Sequence, residues 1–95
     1  MILIVRCGKN IVQITLNTFY NRQMNIKEKT GKRLRELRMA SGLSQEKFSY
    51  ECELDRTYIA SIEQGKRNVS IINLEKIAKA FNMSIYDFFN SNLFQ

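Results

Sequence analysis

Between Leu54 and Asn68 the chain reads LDRTYIASIEQGKRN, where Arg56, Thr57, Tyr58, Ser61, Gln64, Arg67 and Asn68 bring together guanidinium, hydroxyl and amide groups. Such groups recognise by hydrogen bonding rather than make or break bonds. On a helix turning 100° per residue, Ile59 and Ile62 point one way, and Thr57, Ala60, Ser61 and Gln64 point the other, with Arg56 and Tyr58 on the flanks. The outward face is small, polar and free of acid. A DNA major groove admits a helix whose leading side chains are short or can reach base edges. Arg56 can take O6 and N7 of guanine as a bidentate pair, and Thr57 can meet a base edge or a thymine methyl group. A merely solvated face would more commonly carry Lys and Glu pairs four positions apart.

Other chemistry is disfavoured. The 95 residues contain no histidine, and they show no paired carboxylates, no glycine-rich phosphate loop and no nucleophile with a base beside it. No enzyme activity and no cofactor are expected. Cys7 and Cys52 have no second ligand at metal spacing, so one chain cannot assemble a zinc site. Cys52 falls on an inward helix position, which favours two reduced thiols in a reducing cytosol over a disulfide. The net charge of +6 points to anionic partners, nucleic acid first and membrane surface second. No apolar run approaches the ~18 residues of a membrane span. The opening MILIVRCGKN lacks a signal-peptide cleavage pattern, so a cytoplasmic protein is expected.

The elements that position the polar stretch follow from periodicity. Residues 1–25 form an arm in which Ile2–Arg6 and Ile11–Leu16 read as the strands of a hairpin around Gly8-Lys9-Asn10. A start of translation at Met24 is the other reading of that arm. Residues 26–95 read as helical. Thr30, Leu34, Leu37 and Ser41 recur at three and four, and Gly42 ends the first helix. Ser44 caps a second over Gln45–Cys52, with Phe48 and Cys52 inward, and Asp55 caps a third over Arg56–Gln64, closed by Gly65. Ser70 caps a fourth, in which Ile71, Leu74, Ile77, Ala78 and Phe81 share a face. Ser84 and Asp87 form a capping box that opens a short fifth helix. The class is all-α, a five-helix bundle. The connection Glu53-Leu54 is too short for antiparallel neighbours, so the second and third helices should cross steeply as a helix-turn-helix.

The stretch LSQEKFSYECELDRTYIASIEQGKRNVSIINLEKIAKAF resembles the helix-turn-helix of the lambda-repressor-like (Xre) family. More narrowly, LDRTYIASIEQGKRN followed by LEKIAKAF and FF is similar to the controller proteins of restriction–modification systems. The resemblance spans about Lys32 to Phe89. It implies a homodimer on pseudo-palindromic double-stranded operators, regulating its own gene and the endonuclease gene, activating at low occupancy and repressing at high. RNA polymerase is a further partner that such regulation implies. By position, Gln45 would hold phosphate, Arg56 and Thr57 would read bases, and Tyr58 and Ser61 would touch backbone or base edges. Arg67 and Asn68 would anchor phosphate or reach the groove edge. Two positions depart from the pattern. Glu53 stands where glycine or asparagine usually adopts a left-handed backbone, at ~1 kcal/mol if that conformation is kept. Ser49 replaces a small alanine and brings a hydroxyl that needs a partner.

Six basic residues (Lys27, Lys29, Lys32, Arg33, Arg35 and Arg38) crowd the first helix, and Arg33 or Arg35 is expected to border phosphate. At the other end, Ile72 faces away from its helix's core stripe, and IYDFFNSNLF is unusually apolar. Ile85 and one phenylalanine suffice for a small core. Ile72, Phe88, Phe89, Leu93 and Phe94 are therefore expected at a two-fold interface. A phage-type repressor or an antitoxin with a protein partner keeps the same fold, and the β-rich arm could pair edge to edge between subunits.

Overall fold

The computed structural model describes residues 2–7, 10–15 and 24–95. Antiparallel strands β1 (Ile2–Cys7) and β2 (Asn10–Thr15) precede five helices. These are α1 (Ile26–Ala40), α2 (Gln45–Cys52), α3 (Arg56–Glu63), α4 (Ile71–Ala80) and α5 (Ile85–Phe89), followed by a 3-10 turn at Asn92–Phe94. In the hairpin, Leu3 pairs with Ile14 and Val5 with Val12. The first strand starts at Ile2 as expected and runs one residue longer, to Cys7, and the second starts one residue earlier than expected, at Asn10. Gly8 and Lys9 of the expected turn, and Leu16, lie outside the described residues.

Local chemistry sets the helix starts. Asn25 and Ser84 make reciprocal capping boxes with Glu28 and Asp87, and Ser44 and Ser70 accept from the amides of Lys47 and Asn73, so orphan N–H groups are satisfied. Asp55 holds the capping position of α3 but makes no capping bond. Its carboxylate instead accepts the Thr57 hydroxyl at 3.0 Å, which corrects the cap expected there.

The ends of α1 to α4 are built alike. Gly42, Glu53, Gly65 and Asn82 follow these helices with φ of 72°, 57°, 75° and 57°. The next amide in each case donates back to the carbonyl five residues earlier: Leu43 to Arg38, Leu54 to Ser49, Lys66 to Ser61 and Met83 to Ala78. This left-handed stop folds the following residue back onto its helix. Leu43, Leu54 and Met83 accordingly pack against the core, whereas Lys66 is exposed. Glu53 does adopt the strained conformation that its place in the turn demands.

Leu34, Phe48, Ile59, Ile62, Ile77 and Phe88 form the centre, each at most 1 % exposed. Each such side chain contributes roughly 1.5–3 kcal/mol on burial. Phe48 stacks on Phe81 with ring centroids 4.5 Å apart. Two expectations are corrected. Phe88 lies three residues after Ile85 on the inward side of α5 and is 1 % exposed, so it belongs to the monomer core and not to an interface. Ile71, placed by periodicity on the core face of α4, is 71 % exposed, because as the first residue of the helix it projects beyond the packing that buries Ile77 and Ala78. Ser49 is buried, and its hydroxyl donates to the Glu46 carbonyl at 2.6 Å, which supplies the partner it needs. Cys52 is a free, buried thiol, and desolvation pushes its pKa up.

α1 and α3 meet backbone to backbone. A Cβ added at Gly31 would lie 2.0 Å from the Ile62 carbonyl oxygen, so only glycine allows this approach. Beside that contact, Arg38 donates to both carboxylate oxygens of Glu63, at 2.6 and 2.9 Å. It also donates to the Leu43 carbonyl at 2.8 Å. The Glu63 side chain is only 4 % exposed. Its hydrogen bond to Arg38 raises the guanidinium pKa, against the opposing pull of desolvation.

Removing one member of this pair leaves the other buried without a counter-charge. Glu63→Ala is expected to lower unfolding free energy by about 3 kcal/mol, measured by urea denaturation at neutral pH. Glu53→Gly should act oppositely in the same assay. It relieves the left-handed strain and raises stability by about 0.5 kcal/mol, after the greater unfolded-state entropy of glycine is subtracted.

Candidate nucleic-acid interface

The buried faces of α3 are committed to the core through Ile59 and Ile62. Arg56, Thr57 and Gln64 are exposed, and Tyr58, Ala60 and Ser61 are half-buried. Arg56 stands in the first turn with no ion-pair partner among the described residues, so its guanidinium is open to a planar double acceptor. The hydrogen of the Thr57 hydroxyl is held by Asp55. What Thr57 presents outward is a methyl group and oxygen lone pairs, suited to thymine or to an amino group on a base edge.

The residues after α3 are organised onto the helix. Ser61 Oγ donates to the Tyr58 carbonyl at 2.8 Å and accepts from Arg67 Nε at 3.0 Å. The Arg67 guanidinium also lies over the Tyr58 ring, 5.3 Å from its centroid, a favourable cation–π placement. The two terminal nitrogens of Arg67 remain free to meet an anion. Asn68 is exposed beside it, as is Lys66. Asn73 of α4 donates to the Tyr58 hydroxyl at 3.1 Å. That hydrogen bond joins residues fifteen positions apart, and no local spacing in the sequence signals it.

Gln45 opens α2, where the helix N-terminus favours an anion. Its side chain is half-buried, and one amide hydrogen goes to Glu63 Oε1 at 3.2 Å. The other amide hydrogen stays available. Glu46 in the first turn of α2, Glu51 in its last turn, and Glu53 and Asp55 in the connection are exposed and would repel phosphate. On α2, α3 and the residues that follow, the groups open to an anion are then Gln45, Arg56 and the Lys66–Asn68 segment.

The basic run of α1 divides. Arg33 Nε donates to the Phe88 carbonyl at 2.6 Å and its terminal nitrogen to the Asp87 carbonyl at 3.0 Å. It ties the carbonyl end of α5 to α1, which gives it a structural role and leaves one terminal nitrogen uncommitted. Arg38 is committed to Glu63. Arg35 is exposed, without an ion-pair partner among the described residues.

Of the residues expected at a two-fold interface, Ile72 is 67 % exposed. Phe89, Leu93 and Phe94 are half-buried, and Phe89 packs edge-on against both Phe88 and Phe94. Ile71 and Tyr86 are more exposed than Ile72, at 71 % and 75 %. Among the described residues, no group of His, Cys, Asp and Glu could hold a metal ion. No helix there is long and apolar enough to cross a membrane.

Comparison with known proteins places this geometry. The control protein C.BamHI of Bacillus amyloliquefaciens is 48 % identical over 64 residues, covering 66 % of this chain and 79 % of that protein. The crystal structure of the restriction–modification controller protein C.AhdI of Aeromonas hydrophila is similar with a TM-score of 0.64 and 46 % identity, over 66 % of this chain and 96 % of that one. A tetramer of the controller protein C.Esp1396I, solved in complex with its natural 35-base-pair operator, gives a TM-score of 0.65 and 36 % identity, over 70 % of this chain and 88 % of that one. The helix-turn-helix family model matches residues 34–88, and with these relatives it shows that the chain belongs to the helix-turn-helix family of DNA-binding transcription regulators, among the restriction–modification controller proteins.

Proposed function

We propose that residues 26–95 form a DNA-binding and dimerisation unit, with residues 1–25 as an arm, and that the unit reads a pseudo-palindromic operator as a homodimer. The operator controls the chain's own gene and that of the partner endonuclease, and activation involves RNA polymerase. The observation that carries this reading is the division of labour on and after α3. Arg56 and Thr57 stand exposed at its first turn, while Arg67 is held against its far end by Ser61 and Tyr58. Base-reading groups thus lead, and a fixed cation follows for phosphate. The solved operator complex of C.Esp1396I supports the operator, and its tetrameric assembly supports self-association.

In this reading Gln45 and Arg35 contact phosphate, Arg56 and Thr57 read base edges, and Tyr58, Ser61, Arg67 and Asn68 touch backbone or groove edge. Arg33 is not part of the set. Ile72, Phe89, Leu93 and Phe94 join two copies, with Ile71 and Tyr86 as added exposed apolar groups. Two copies would set two α3 helices about 34 Å apart, one turn of DNA.

Arg56→Ala is expected to lose ~1–3 kcal/mol of discrimination at one base position per half-site, read by competition between duplexes that differ there. Unchanged preference would rule out base reading by Arg56. Arg67→Ala should weaken binding to all sequences alike. The slope of log affinity against log salt should become shallower by about 0.9 for each phosphate that is no longer neutralised, measured by fluorescence anisotropy across a salt series.

A further inference from the structure

We propose that Asn73, on α4 and outside the helix-turn-helix, is a positioning residue for operator binding, acting through the Tyr58 hydroxyl on the Tyr58–Arg67 pair. The inference rests on the operator reading above and concerns how that surface is kept in shape. Three interactions carry it. Asn73 Nδ2 donates to the Tyr58 hydroxyl at 3.1 Å, the Tyr58 ring lies under the Arg67 guanidinium, and Ser61 fixes Arg67 Nε from the side. The phenol can rotate about its own χ angles, and a ring that swings away removes the platform of the guanidinium. A tether from a neighbouring helix lowers the entropy lost when such groups order on a ligand.

The direction of the hydrogen bond adds a second consequence. Because Asn73 donates, the Tyr58 oxygen serves as acceptor and its own proton stays free. That proton can be donated to a phosphate oxygen or a base acceptor while Asn73 holds the oxygen in place. The backbone of Asn73 is secured separately, since its amide donates to the Ser70 hydroxyl at 3.1 Å. Truncating the side chain therefore leaves the start of α4 capped.

The test is a double-mutant cycle with a fluorescently labelled duplex carrying the symmetric site selected by the wild-type protein. Asn73→Ala should weaken binding about three- to tenfold and flatten the salt dependence toward that of Arg67→Ala, with the thermal unfolding midpoint retained. In a Tyr58→Phe background, which lacks the hydroxyl, Asn73→Ala should have no further effect. An equal loss in that background would show Asn73 acting apart from Tyr58 and overturn the inference, as would full affinity in Asn73→Ala alone. Either result leaves the operator reading standing, because wild-type binding is its control. A wild-type protein that selects no site overturns both.

Discussion

The Glu63 carboxylate is the point on which the arrangement turns. It lies at the last residue of α3, almost wholly buried, and receives hydrogen bonds from Arg38 of α1 and Gln45 of α2. One acid thus gathers three helices. A buried ion pair adds little over a well-packed apolar substitute, yet it tolerates few alternative geometries, since a misplaced partner leaves a bare charge. Together with the glycine contact at Ile62, it sets the depth and rotation of α3. The outward side chains are then held in register by the core rather than by the DNA.

The same economy of polar groups explains why so much of the surface stretch is already engaged before any ligand arrives. Thr57 is tied to Asp55, Ser61 to Tyr58 and Arg67, and Tyr58 to Asn73. In the leading turn, Arg56 has no ion-pair partner among the described residues. Bonds of this kind restrict rotamers that would otherwise have to be ordered on binding. Lys66 fits the pattern from another direction. The left-handed stop that packs Leu43, Leu54 and Met83 against the core at the other helix ends here presents a cation to solvent.

Much of this was legible in the sequence, because it is written in short-range chemistry. Ser44, Ser70 and the Ser84–Asp87 box mark helix starts by hydrogen bonds within three residues, and Gly42 and Gly65 mark two of the stops. The inward Ile59 and Ile62 follow from the helical period. What was not legible depends on distant partners. Arg33 and Arg38 look alike in a basic run, and only the structure shows that one is bonded to α5 and the other to Glu63. Phe88 and Phe89 are adjacent aromatics, and the placement of a five-residue helix decides which is buried. Asn82, taking the left-handed role usually given to glycine, carries no signal that separates it from any loop asparagine.

A two-fold pair of these domains that reads DNA sequence must select a symmetric site. Selection of bound duplexes from a random pool at roughly 150 mM salt tests it most directly, since that ionic strength suppresses purely electrostatic binding. A two-fold symmetric site whose half-sites lie about one helical turn apart should be recovered. Recovery of no motif, or of a single unpaired half-site, would contradict it.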